Sequence, residues 1–270
     1  MKLKTIFQIL GFRGRPRRYG YTIRTFELPR YGRVEYAQWL HPSEMPAEIP
    51  SHLLEQYGEF INQGDFCIDI GAHTGDSTLP IALSAGPGGM VLAMEPNPYV
   101  FPVLEKNARL NRDLTNIVPM MAAAAGEDGI LTFEYSDAGY CNGGRHEGIS
   151  TLRHGHAFKL QVHGVNLQRE LRSDFKAQLP RLKFIKVDTE GYDLHVLKSL
   201  AGIIDDLRPH IRAEVYKLTG PGYRAELMSF LLTRQYTVRR VTAESGLAGE
   251  IIGPADAMKY KHYDIYCSPA

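Results

Sequence analysis

The chain has little cysteine, a single tryptophan and no long apolar run. Its three cysteines, Cys67, Cys141 and Cys267, are odd in number and far apart. They form neither a disulfide framework nor a zinc-ligand spacing, which fits a reducing compartment. No segment is apolar over the roughly 20 residues that a bilayer span requires. The opening run Ile6-Phe7-Gln8-Ile9-Leu10-Gly11-Phe12 is too short and interrupted for the core of a secretory signal. A cytoplasmic protein is expected. Excess charge is also missing: 31 basic and 30 acidic residues leave a net +1, so bulk attraction to nucleic acid or membrane is not predicted. The distribution is uneven, however. Lys2, Lys4, Arg13, Arg15, Arg17, Arg18 and Arg24 all precede the first acid, Glu27. A solvated basic tail is the plain reading. Contact with a membrane surface or an anionic substrate is the sharper one.

At 270 residues and 44% hydrophobic, the chain can build one sizeable α/β domain with additions. Residues 1–60 read as an N-terminal extension that could cover a substrate. It has short strands at 21–26 and 33–37, a proline-broken stretch, and a helix capped by Ser51 running to about residue 62. From 61 to 270 strands and helices alternate. Strands are expected at 66–70, 90–94, 117–121, 182–187 and 211–215. Helices are expected at about 76–85, 99–111, 194–200 and 223–233, and a closing pair of strands at 237–241 and 263–267. An insert at about 130–166 holds two strands around a polar loop, 136–157. This rhythm predicts a doubly wound, mostly parallel sheet with a C-terminal antiparallel strand.

Three strand ends carry the chemistry. In Asp69-Ile70-Gly71-Ala72-His73-Thr74-Gly75 an apolar strand reaches an acid, a glycine turn and a helix start. Open α/β sheets bind ligands at that place. A pyrophosphate cradle has no use for an acid there, whereas a ligand with a positive end, such as the ammonium of S-adenosylmethionine, suits it. The N–H groups around His73 and Thr74 are expected to face the ligand. Glu95 ends the next strand, at the offset where an acid takes ribose hydroxyls. Lys186-Val187-Asp188-Thr189-Glu190-Gly191-Tyr192-Asp193 ends the fourth core strand. Asp188 and Glu190 would border the reacting end of the ligand, and Asp193 would cap the helix that follows.

Together these segments resemble the FkbM family of S-adenosylmethionine-dependent methyltransferases, from about Asp65 to Glu214. The resemblance implies a Rossmann-like class I methyltransferase fold and methyl transfer to a hydroxyl of a sugar, glycolipid or secondary metabolite. It places Asp69, Gly71, Ala72, His73, Thr74 and Gly75 at the methionine end and Glu95 on the ribose. Asn97 would lie by the adenosine, Ala123 would lie in the turn after the third strand, and Asp188 and Glu190 would stand by the methyl. The chain departs from the pattern at Asp76 and Ser77, where bulkier residues are frequent.

Methylating an alcohol calls for a general base or a metal. Glu190 or Asp188 is the expected base. Glu214, at the end of the fifth strand, is placed close enough to touch the acceptor, unless Arg212 or Lys217 pairs with it. His146, His154, His156 and His163 are alternative bases. His154-Gly155-His156 could seed a metal site, but its spacing is weak support and no metal is expected. Trp39 is expected to be buried. Pro96-Asn97-Pro98-Tyr99 is similar to the Asn-Pro-Pro-Tyr box of amino-directed DNA methyltransferases, but it follows the second strand rather than the fourth, and no nucleic-acid partner is expected. The acceptor, a small molecule or carbohydrate, would sit among residues 1–60, 136–157 and 242–262. A nicotinamide-dependent oxidoreductase or epimerase would want Gly-x-Gly-x-x-Gly, which is missing. A non-catalytic binding module stays open.

Overall fold

The structure is a computed structural model that describes residues 17–137, 140–144 and 158–270. A hairpin of β1 (Tyr21–Leu28) and β2 (Gly32–Trp39) opens it, in register from Tyr21↔Trp39 to Leu28↔Gly32. Then come α1 (Ser51–Gly58), β3 (Phe66–Ile70), α2 (Thr78–Ala85), β4 (Met90–Met94), α3 (Phe101–Arg109) and β5 (Ile117–Met120). The middle of the chain adds β6 (Ala123–Ala125), β7 (Gly129–Asp137), β8 (Tyr140–Gly144), β9 (Phe158–Asn166) and α4 (Leu167–Ser173). The last part holds β10 (Leu182–Val187), α5 (Asp193–Ser199), α6 (Ala201–Leu207), β11 (His210–Val215), α7 (Pro221–Leu232), β12 (Tyr236–Val241) and β13 (Tyr263–Pro269).

Seven strands form the main sheet in the order β12-β13-β11-β10-β3-β4-β5. Strand β13 runs antiparallel to β11 and β12, and the other pairs are parallel. This is the doubly wound sheet with a C-terminal antiparallel strand that the sequence predicts. Strand order reverses between β3 and β10, which opens a crevice at their carboxyl ends. Every residue of β3 is buried because both faces of the sheet are covered. Phe66, Ile68 and Ile70 join one core with Ile185, Val187 and Leu194. Cys67 joins the opposite one with Tyr57, Ile81, Ala82 and Phe184. Burying one such large side chain contributes about 2 kcal/mol. Asp69 points to the second face, so its carboxylate needs partners there.

The N-terminal hairpin packs into the domain. Leu28, Val34, Tyr36 and Leu54 pack on Leu79 and Leu83 of α2, which leaves α2 buried along its whole length. A helix that is apolar all round needs such a cover. The helix starts at Thr78 rather than near residue 76, and the Ser77 side chain bonds Asp69 instead of capping it. Pro80 fits in this first turn, where its missing N–H would have had no helical partner. Helix α1 begins at Ser51, but Pro50 holds the cap position without a side-chain cap, and the helix stops at Gly58. Gln56 of α1 ties it to the glycine-rich loop near the C-terminus: Nε2 donates to the Ser245 carbonyl (2.9 Å) and Oε1 accepts from the Leu247 N–H (2.8 Å).

The insert is more ordered in its strands than expected. β6, β9, β7 and β8 form a second, four-stranded sheet. The expected loop histidines His146, His154 and His156 lie outside the described residues. No helix of the described residues is long and apolar enough to cross a membrane.

Candidate active site

A cavity of about 430 Å³ opens at the strand-order reversal. Gly71, at the end of β3, sits in the left-handed region at φ +81, and a Cβ there would lie 1.9 Å from the Asp188 carbonyl oxygen. Only glycine lets the two strand tips come this close. Four N–H groups of the turn are spent inside the protein. Gly71 and Ala72 donate to the Met94 carbonyl, and Gly75 donates to Ala72. The His73 N–H donates to Glu95 Oε2 at 3.0 Å. The His73 N–H is thus turned to Glu95, and this part of the turn serves to fix that carboxylate.

Asp69 is likewise drawn away from the cavity. It is fully buried. Its Oδ2 accepts from Ser77 Oγ (2.9 Å) and Thr78 Oγ1 (2.7 Å), and its Oδ1 lies 3.3 Å from Lys186 Nζ. The expectation that Asp69 meets the ligand's ammonium is corrected: a carboxylate inside an apolar strand had to be neutralised by the protein itself. Thr74 is fully buried, 2.6 Å from the Tyr36 hydroxyl. Its carbonyl accepts from Asn107 Nδ2, and Asn107 also bonds the N–H and carbonyl of Ala37 in β2. The hairpin is thus bonded to the glycine turn. Ala72, Thr74 and Gly75 shape the turn without lining the cavity, whereas Gly71 and His73 line it. His73 packs edge-on against the buried Trp39 at 5.7 Å, with its Nδ1 3.8 Å from Glu44. Burial lowers the imidazole pKa, against the raising effect of Asp76 and Asp188.

At the far side, Glu95, Ala122, Ala123, Ala124, Phe133 and Tyr135 line the cavity. Glu95 Oε1 accepts the Asn97 N–H at 2.8 Å. Each carboxylate oxygen keeps a second lone pair for a ligand. Burial pushes Glu95 up to about 7, while its two backbone bonds pull it down. Asn97 does not line the cavity. It is fully buried and its Oδ1 accepts the Tyr99 N–H, which holds the turn after β4.

The β10 tip brings Asp188, Thr189, Glu190 and Tyr192 to the cavity. Asp188 is partly exposed. Burial would raise its pKa, but Lys186, 3.2 Å away, and Arg212 hold it below the usual carboxylate value. Glu190 takes a left-handed φ of 55 ahead of Gly191. Burial and Asp188 push it up to about 7, against Lys217 and a hydrogen bond with Tyr216. Asp193 is the first residue of α5, not its cap. Its Oδ2 accepts from Thr189 Oγ1 (3.0 Å) and the Gly191 N–H (3.3 Å), and its Oδ1 accepts from the Glu214 N–H (3.1 Å). It braces the Glu190 turn against β11.

Glu214 does not line the cavity. Its Oε1 lies 2.7 Å from His262 Nε2, so neither Arg212 nor Lys217 is its partner, and Arg212 bonds Asp264 instead. Burial, then Asp188, Asp193, Glu190 and Asp264, push it up to about 11. These neighbours favour its neutral form, and it is set behind the site. Among the described residues no group of three metal-ligating side chains comes together.

The sequence profile described as the Methyltransferase FkbM domain matches residues 69–238, a span that contains all three strand tips. The chain belongs to the FkbM methyltransferase family. Methyltransferase sdnD of Sordaria araneosa is 27% identical over 201 residues, 66% of this chain and 76% of that protein. Among solved structures, a methyltransferase FkbM from Methylobacillus flagellatus has a TM-score of 0.47 at 13% identity, over 80% of this chain and 51%, about half, of that one. A SAM-dependent O-methyltransferase from Thermotoga maritima has a TM-score of 0.44 at 9% identity, over 97% of this chain and 96% of that one.

Sequence reasoning missed several cavity residues of this FkbM methyltransferase: Glu48, Asp76, Ser77, Lys186 and Arg212. Lys186 and Arg212 had a signal, since a charge within a buried strand must find a partner. Glu48 had none, because a proline-broken loop does not reveal which way it folds. Of the acceptor-pocket expectation, Glu48, Pro50 and Leu53 do line the cavity, whereas none of residues 242–262 does.

Proposed function

We propose that the protein transfers a methyl group from S-adenosylmethionine to a hydroxyl oxygen of a sugar, glycolipid or secondary metabolite. The observation that carries this is the cavity at the β3/β10 reversal, with Glu95 at one end and Asp188 and Glu190 at the other. The residues fit the cofactor: Glu95 has lone pairs for ribose hydroxyls, the small Ala122–Ala124 run beside Phe133 leaves room for a flat base, and ionised Asp188 attracts a sulfonium.

S-adenosylmethionine supplies a methyl on sulfonium that is already activated for in-line displacement. The protein positions the acceptor and manages one proton. Glu190 is the base in this reading. It lines the cavity, its turn is fixed by Asp193, and its pKa of about 7 suits proton removal near neutral pH. Asp188, held ionised by Lys186, supplies charge rather than proton transfer. Glu214, behind the site, supports the β11 tip and is not assigned contact with the acceptor.

Calorimetry with S-adenosylhomocysteine and with NAD tests the cofactor. Binding of the first and not the second is expected, with about tenfold weaker binding in Glu95→Gln. Binding of NAD alone would overturn the reading. Glu190→Gln that turned over normally on a methylated hydroxyl acceptor would remove the assigned base.

A further inference from the structure

Two cavity residues are given no ligand contact in the mechanism above. Lys186 on β10 and Arg212 on β11 are register partners, and both line the cavity. With Asp69 on β3 and Asp264 on β13 they make a charged row over four adjacent strands, in the order minus, plus, plus, minus. The two cations therefore meet in the middle of the row, Lys186 buried and Arg212 half-buried, with carboxylates on their outer sides. Like charges side by side repel, and Asp188, 3.2 Å from Lys186, offsets part of that repulsion.

Both retain donors for an anion. Lys186 Nζ lies 3.3 Å from Asp69 and 3.2 Å from Asp188, which leaves the third ammonium proton. Arg212 gives Nε and Nη2 to Asp264 (3.2 and 2.6 Å) and a long 3.5 Å bond from Nη1 to the Tyr57 hydroxyl, out of five N–H donors. Tyr57 lies one helical turn from Leu53 on α1, and Pro50 and Leu53 at the start of α1 and Ser77 and Pro80 at the start of α2 line the same cavity as this pair. Two further carboxylates, Glu48 and Asp76, line the same cavity, and Asp76 acts on the Lys186 charge.

A cation pair flanked by carboxylates matches a zwitterion. It would repel a phosphate dianion and would leave a simple alcohol unpaired. We propose that Lys186 and Arg212 form the subsite for the α-carboxylate of the cofactor's amino-acid end, with Asp76 and Glu48 receiving its ammonium. This rests on the cofactor reading above and assigns the amino-acid end to the floor between α1 and α2, in place of Asp69.

Calorimetry on the full chain tests it with three probes. S-adenosylhomocysteine carries both charges, its decarboxylated amine analogue only the ammonium, and 5′-methylthioadenosine neither. The wild-type protein is expected to bind S-adenosylhomocysteine about 100-fold more tightly than the amine analogue, as two charge-assisted hydrogen bonds are worth. Arg212→Met combined with Asp264→Asn, which leaves no unpaired carboxylate, is expected to cut that preference to about tenfold, the share of Lys186, while methylthioadenosine binding stays within threefold. Asp76→Asn is expected to weaken both amine-bearing probes and spare methylthioadenosine. Equal wild-type affinity for S-adenosylhomocysteine and the amine analogue overturns the subsite and leaves the cofactor reading standing. Binding of none of the three overturns both. The wild-type series needs no variant, so a misfolded double variant does not protect the proposal.

Discussion

Gly71→Ala puts the closest backbone approach of the site under test. The added Cβ would sit 1.9 Å from the Asp188 carbonyl oxygen, while real Cβ contacts stay beyond 3.0 Å. The β3 and β10 tips must therefore part by about 1 Å. The Asp188 N–H bond to the Ile70 carbonyl, 2.9 Å long, closes this end of the ladder and would be lost, at about 1 kcal/mol. A non-glycine residue at φ +81 costs about 1–2 kcal/mol more. The expected loss is about 3 kcal/mol in urea unfolding, read at constant m. Gly126→Ala is the control, since its Cβ meets nothing within 4 Å, and it should stay within about 0.5 kcal/mol of wild type. Calorimetry on the folded fraction should also show weaker S-adenosylhomocysteine binding in Gly71→Ala, because parted tips displace Asp188. A loss below about 1 kcal/mol for Gly71→Ala would show that the strands yield cheaply and that the close approach is not what demands glycine.

Glu190→Gln should cut methyl transfer about 100- to 10,000-fold with S-adenosylhomocysteine binding kept, and wild-type turnover should rise with pH up to about 7, where Glu190 ionises. Glu214 has a folded pKa raised to about 11. Its contribution to stability is full below the unfolded carboxyl value near 4.3 and declines as pH rises from there toward about 11. Glu214→Gln should flatten that decline and raise the melting temperature at pH 8 more than at pH 5; an equal change at both would refute it. Asn107→Ala strips three hydrogen bonds to Ala37 and Thr74. Chemical denaturation should show a loss of about 3 kcal/mol, with faster amide exchange at both Ala37 and His73. Exchange confined to one of the two would mean that the hairpin and the turn are not coupled.

Much of the fold was legible in the sequence because its strands are short apolar runs closed by glycine turns. Phe66–Ile70, Met90–Met94 and Leu182–Val187 fell where the pattern put them. Helix starts were less legible. Ser51 and Ser77 have the side chains of caps, but Pro50 set the entry to α1 and Asp69 drew Ser77 away. β6 was missed because three alanines carry no strand signal of their own. In the site, Glu95, Asp188 and Glu190 were found as acids at strand ends. That Asn97 holds the Tyr99 N–H was not legible, because it depends on how the chain bends after β4.

The sequence by itself determined the alternation of strands and helices, the family, and the three tips that meet at one end of the sheet. These follow from local hydrophobic period and from glycines that few other residues can replace. Only the tertiary structure decided which acids face the cavity. Asp69 and Glu214 belong to the same acidic strand ends as Asp188 and Glu190, yet one is neutralised by Lys186 and two hydroxyls and the other is turned to His262. A carboxylate's role is set by the donors that other strands and helices bring within about 3 Å of it, and those donors lie far away in sequence.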